Sequence, residues 1–253
     1  YISHFFLSHH FLHNSIIIIL GIICFLFFVG KVYEKYYFNI FIISYFILFI
    51  GLILFKTHDD FPYYHFPYSY YLTQHPTQIG MGLFGHGFKT PSSVFYLNSL
   101  FYLPIIKYYT FYFTPILIMG FTNLILISEI IKKIKKKDID YIFYLSVIIF
   151  IFINIFFYRI QEHGTDRSAQ ILIFLLFLQL LFFIEFKKDN SLRIDYMLII
   201  LGIIISLKSF YILYLIFLFP LIFILYKEKK LEIILDLFTN KLFYCFIFLL
   251  LMI

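Results

Sequence analysis

Six uninterrupted apolar runs constrain this chain more than any other feature: Ser15–Gly30, Tyr37–Phe55, Tyr108–Ser128, Tyr141–Tyr158, Ala169–Phe186 and Phe210–Tyr226. Each approaches the roughly 20 residues that carry an α-helix across a bilayer's hydrocarbon layer. Their apolar residues are continuous rather than alternating, which selects helices over barrel strands, and in lipid only those two structures satisfy every backbone group. Two further runs, Tyr196–Leu207 and Leu242–Ile253, are shorter. The expected fold class is all-α, a polytopic transmembrane helix bundle of about seven to eight spans.

Composition agrees. Hydrophobic residues make up 62% of the chain and charged residues 13%, where a soluble domain carries roughly a quarter charged residues. The formal charge of +6 sits in short lysine runs between apolar segments. That pattern orients membrane proteins and does not point to a nucleic-acid partner. Cys24 and Cys245 lie inside separate apolar runs, so neither a disulfide framework nor a thiolate metal motif is expected. The chain starts at Tyr1 and stops within an apolar run. It is expected to be a single transmembrane domain, 1–253, from a protein cut at both ends, with no cleavable signal peptide.

Basic residues between the runs give the orientation. Lys31 and Lys35; Lys132, Lys133, Lys135, Lys136 and Lys137; Lys187, Lys188 and Arg193; and Lys227, Lys229 and Lys230 form four clusters. Alternate threading of the helices puts all four on one side, the cytoplasmic one. The other side receives a long connection, 56–103, a second one, 159–168, and a turn at Lys208. The long connection is broken by Pro62, Pro67, Pro76 and Pro91 and is rich in tyrosine, which suits the membrane interface. Short interfacial helices are expected at Phe66–Gln74 and Ser92–Leu103, and a similar one at Leu231–Phe238 on the cytoplasmic side.

The polar segments of the outer side hold the candidate chemistry. His58-Asp59-Asp60-Phe61-Pro62-Tyr63-Tyr64-His65 places two adjacent carboxylates directly after an apolar run. As plain structure, Asp60 would cap a helix with Pro62 in its first turn. As chemistry, Asp59 or Asp60 would act as a general base or hold a divalent cation, with His58 and His65 as substrate contacts. Arg159-Ile160-Gln161-Glu162-His163-Gly164-Thr165-Asp166-Arg167 is the second candidate. Its plain account is a solvated hairpin of mutually paired charges. Its functional account is recognition of an anionic group by Arg159, His163 and Arg167, since an arginine fork matches phosphate oxygens. Gln170, one helical turn past Asp166, extends that surface. Lys208 either snorkels or meets a phosphate. With Mg²⁺ or Mn²⁺ as a possible cofactor, Asp59, Glu162 and Asp166 are the candidate ligands.

Two weaker patterns remain. Gly80-Met81-Gly82-Leu83-Phe84-Gly85-His86-Gly87 matches the dinucleotide-binding glycine pattern in form only, because no strand precedes it. A loop over a substrate is the better account, with His86 and Lys89 as contacts. His9 and His13 have the spacing of a helical metal pair, but no carboxylate lies near, so His4, His9, His10 and His13 are expected simply to precede the first span at the interface.

The order of these parts resembles the GT-C superfamily: a span, an outer connection opening with acidic residues and carrying short helices, then a second charged outer connection. These are integral-membrane glycosyltransferases that use polyprenyl-phosphate-linked sugars. The resemblance implies that Asp59 or Asp60 is the base or metal ligand, with Glu162, His163 or Asp166 contributing metal or phosphate contacts. The wording Asp-Asp-x-Pro-x-Tyr-His and Glu-His-Gly-Thr-Asp-Arg-Ser is also similar to a family of uncharacterised bacterial multi-pass membrane proteins, over about 37–175. The extra span Ser15–Gly30 departs from the simplest GT-C order. The implied partners are the lipid bilayer, a polyprenyl-phosphate-linked sugar donor and a glycan, lipid or protein acceptor. The implied setting is the bacterial inner membrane with the site on its periplasmic face. A transporter or flippase for a lipid-linked or anionic solute, and an O-antigen-type polymerase or ligase, are the alternatives. A transporter would place ionisable groups near mid-membrane, whereas here they gather at one face.

Overall fold

The computed structural model describes residues 2–32, 35–54, 56–83, 85–89, 92–185, 190–227 and 241–251. Lys187, Lys188, Lys229, Lys230 and the helix expected at Leu231–Phe238 lie outside the described residues. Every regular element among the described residues is helical. The longer ones are α1 (Phe11–Val32), α2 (Lys35–Leu54), α5 (Phe113–Lys136), α6 (Tyr141–Phe156), α7 (Thr165–Glu185), α8 (Asn190–Leu207), α9 (Leu218–Lys227) and α10 (Lys241–Leu251). Two short helices, α3 (Phe66–Gln74) and α4 (Ser93–Leu100), stand in the long connection at the places the sequence led us to expect.

Among the described residues four stretches are long and apolar enough to cross a membrane: Tyr37–Leu54, Tyr108–Lys136, Thr165–Glu185 and Ser209–Lys227. Phe11–Phe27, Tyr141–Phe156 and Ile194–Leu207 are apolar but shorter. The run Phe210–Tyr226 is not a uniform α-helix, because Ser209–Phe217 forms a 3₁₀-helix before α9 begins. Such a length is uncommon for that geometry, and at about 2.0 Å rise per residue it stretches the segment along its axis.

Helix α7 organises the interior because two of its faces are apolar. Ala169, Leu172, Leu176, Leu180 and Phe183 join a core with α3, α4, α8 and α10. Ile171, Leu178 and Phe182 join a second core with α2, α5 and α6. Both series follow the spacing of one helical face. On α5, a Cβ at Gly120 would come within 2.6 Å of the Tyr45 ring, whose hydroxyl donates to the Leu117 carbonyl at 3.1 Å. Small residues permit this close helix approach in membrane bundles.

The helix ends are fixed by polar groups. Asp140 accepts from the Phe143 amide at 2.9 Å and caps α6. Lys133, buried at the end of α5, donates to Asp138 at 2.9 Å and also to Asp140, which staples the α5–α6 turn. Lys137 takes a left-handed conformation there, with φ 55°, so that backbone amides reach the last carbonyls of α5. At the opposite end, Ser92 donates to the Leu207 carbonyl and Ser93 lies 3.1 Å from Ser206, tying the start of α4 to the end of α8.

Candidate functional site

The two polar connections meet at one end of the bundle, where α2 finishes and α7 begins. The His58 amide donates to the Gln161 carbonyl at 3.0 Å, and the Gln161 side chain donates to the Leu52 carbonyl. Gln161 therefore satisfies a carbonyl that α2 leaves open at its C-terminus. Gly164 lies under His65, and a Cβ there would stand 3.1 Å from the ring's Cε1. The glycine-rich strip presses on the same group, since a Cβ at Gly87 would fall 2.3 Å from the Tyr64 Cβ.

Asp59 and Asp60 separate cleanly. Asp59 is 82% exposed and accepts from Lys56 at 2.7 Å, and that hydrogen bond and charge hold its carboxyl below the usual range. Asp60 precedes the single π-turn Phe61–His65, with Pro62 inside it, and its carbonyl receives the amides of Tyr63 and Tyr64. Its side chain makes no capping hydrogen bond. Its amide donates to His58 Nδ1 at 3.0 Å, which fixes that nitrogen as an acceptor, and its carboxylate stands 3.7 Å from the same atom. No lysine or arginine among the described residues pairs with Asp60. Burial raises the Tyr64 hydroxyl above its ordinary value, and the charges of Asp60 and Asp166 push it further.

In the second connection every carboxylate has a cation. Glu162 accepts from Arg159 at 3.2 Å and from Arg167 at 3.1 Å. Burial opposes its ionisation, but the two guanidinium groups outweigh that and hold its carboxyl below the usual range. Asp166 receives Lys208 at 2.6 Å and 2.7 Å and the Tyr211 hydroxyl at 3.1 Å, and Tyr211 also lies beside Gln170. Lys208 thus brings the end of α8 into the cluster, which the sequence suggested. Tyr211 was not anticipated, although its place three residues after Lys208, at a polar-to-apolar boundary, was a usable signal.

His163 and His65 differ from the rest. His163 is 2% exposed, its Nε2–H donates to the Phe157 carbonyl at 2.7 Å, and burial pushes it down to about 4. His65 is buried against Phe95 and Gly164; burial first, then His58, push it down to about 4. Both are neutral packing groups in this arrangement rather than open contacts for a ligand.

The donor set does not fit a divalent cation as it stands. Asp59 is turned to Lys56, both oxygens of Glu162 meet arginines, and both oxygens of Asp166 meet Lys208. A metal would have to break these pairs. Among the described residues no group of three or more His, Cys, Asp or Glu is arranged to hold an ion.

A second polar cluster forms at the N-terminal segment. His4 Nε2–H donates to the Leu72 carbonyl at 2.8 Å, and its Nδ1 meets the Thr77 hydroxyl at 2.6 Å. Ser99 donates to the Tyr96 carbonyl, so it accepts from His9 Nδ1–H at 2.6 Å. The Asn14 amide is shared among the carbonyls of His9, Ser99 and Tyr102, and its oxygen lies 3.2 Å from His13 Nδ1. Burial lowers His4 and pushes His9 down to about 2. The His9 and His13 rings stack at 5.1 Å rather than turning lone pairs toward a common point. The cluster anchors the segment before α1 to α3 and α4.

No family model matches the chain, and no match was found among curated proteins or solved structures.

Proposed function

We propose that this chain is the core of a membrane glycosyltransferase of GT-C type, with the shorter apolar helices also crossing to give about seven to eight spans. It would move a sugar from a polyprenyl-phosphate donor to an acceptor hydroxyl on the periplasmic face of a bacterial inner membrane. The observation that carries this proposal is that Asp60, a half-exposed carboxylate with no lysine or arginine partner among the described residues, stands in a connection that the His58–Gln161 hydrogen bond ties to the one bearing Arg159 and Arg167, whose Asp166 holds Lys208. Asp60 takes the proton of the acceptor hydroxyl, whose oxygen attacks the sugar's anomeric carbon. The bond to the phosphate breaks with its electron pair on the phosphate oxygen. Arg167, Arg159 and Lys208 exchange their carboxylates for that phosphate, where negative charge develops. Asp59 has no part in this scheme, and no step runs through a metal.

The test is sugar transfer from lipid-linked donors in membranes of a deletion strain complemented with variants. Asp60→Asn should lower transfer by about 10²–10⁴, the usual contribution of a positioned base. Asp59→Asn should leave it near normal. Transfer that survives in the Asp59→Asn/Asp60→Asn double variant removes the mechanism. A transporter or flippase is the second reading, favoured by one observation: Glu129 of α5 lines a groove between helices, an ionisable group among the spans. Solute uptake into vesicles without any product would decide for it.

A further inference from the structure

Away from the Asp60 end, α7 packs against both α5 and α8, and the three helices enclose a lateral groove of about 730 Å³. That volume lies within the range of pockets that bury small molecules. Its walls are apolar, with Phe121 and Ile125 from α5, Leu172 and Leu175 from α7, and Ile199 and Ile203 from α8 among them. Of its polar side chains, Thr122 of α5 donates to the Ile118 carbonyl, while Glu129, Gln179 and Tyr196 line it toward the lysine-bearing end. None of these three forms a hydrogen bond or ion pair with any described residue. Glu129 is partly exposed and lies on α5 one helical turn before the basic run that begins at Lys132.

An ionisable side chain in an apolar groove is costly unless a counter-charge reaches it. Among the described residues Glu129 pairs with no cation, and the polar side chains beside it in the groove are those of Gln179 and Tyr196. An apolar ligand with an anionic head would meet repulsion at Glu129. A ligand with a cationic head would meet the carboxylate, the Gln179 carbonyl oxygen and the electron-rich face of the Tyr196 ring. We infer that this groove is a binding site for a cationic amphiphile: a hydrocarbon chain lying along α5, α7 and α8, ending in an amine at Glu129. The site is separate from the Asp60 cluster, and its ligand is neither sugar nor phosphate.

The chain contains no tryptophan, so a Phe121→Trp variant carries a single reporter inside the groove. In phosphatidylcholine nanodiscs, brominated dodecylamine, dodecanol and dodecanoic acid are titrated as quenchers of that reporter. The amine should reach half-quenching at a concentration about tenfold or more below that of the acid and the alcohol, as expected for pairing of opposite charges beside an apolar groove. Glu129→Gln, which keeps the side chain's shape, should bring the three within about threefold of one another. Leu175→Phe, which fills the groove, should abolish saturable quenching by the amine, while the melting curve of each variant shows that the bundle is intact. Equal affinity for amine and acid overturns the inference. So does an alcohol that binds as tightly as the amine, or an amine preference that Glu129→Gln leaves unchanged.

Discussion

The N-terminal histidine cluster and the Asp60–Lys208 cluster are both made of polar side chains brought together over long stretches of chain, and they solve the cost of leaving water in opposite ways. In the first, His4, His9 and Asn14 are almost fully buried, uncharged, and bonded to backbone carbonyls, among them those of Leu72 in α3 and Ser99 in α4, and to the Thr77 and Ser99 hydroxyls. In the second, Asp166, Lys208, Arg167 and Asp60 are one-third to one-half exposed, charged and bonded to one another, or in the case of Asp60 to no cation. A buried neutral network is worth much to stability and can bind nothing without coming apart. A half-exposed ionic one is worth little to stability, and its charges remain within reach of a ligand. The contrast marks the first cluster as an anchor and leaves the second as the candidate site.

That distinction breaks most readily at Asn14. Asn14→Ala leaves three carbonyls with fewer donors and should cost on the order of 3 kcal/mol, read as a drop in melting temperature by circular dichroism in detergent. A melt within error of the parent would mean the cluster is not an anchor. Acidification comes next. The folded-state values of His163, His65 and His9 lie below the ordinary histidine value, so the unfolded chain binds more protons in acid. Their contribution is fully present above about pH 6.5 and is lost as pH falls from there toward the folded-state values, about 2 kcal/mol at pH 5 for His163 alone. Melts at pH 7.5 and pH 5 should differ accordingly. An acid-insensitive melt would contradict the buried neutral state.

Gly164→Ala probes the contact between the two connections. The added Cβ meets a side chain that can yield by a few tenths of an ångström, so a loss of about 1 kcal/mol is expected, together with impaired sugar transfer as His65 and the neighbouring Asp60 turn shift. Unaltered transfer would indicate that the register of the two connections is unimportant. The smallest effect belongs to Lys56→Ala, which removes a fully exposed pair with Asp59. Both melting temperature and transfer should stay within error, and a clear loss of activity would return Asp59 to the site.

Much of the architecture was legible in order of residues alone. The apolar runs located the long helices, and the short helices in the proline-broken connection appeared at Phe66–Gln74 and Ser93–Leu100. The meeting of the Asp60 and Arg167 segments was foreseen from alternate threading, and so was the arrival of Lys208. Less visible were the 3₁₀ stretch at Ser209–Phe217 and the capping role of Gln161, which depends on a carbonyl more than a hundred positions away. The inward turn of His163 was equally hidden, because a polar residue in a short polar hairpin carries no sign of which way it points.

Sequence by itself determined that this is a helical chain with several stretches apolar enough to cross a membrane, because a backbone in lipid must satisfy its own hydrogen bonds and a continuous apolar run leaves it no other way. Tertiary structure alone decided that Asp59 faces Lys56 while its neighbour Asp60 stands beside His58, and that Glu129 pairs with no cation among the described residues. Consecutive side chains in a turn leave the backbone in different directions, and charge pairing is settled by distances across the folded chain, which no local pattern of residues records.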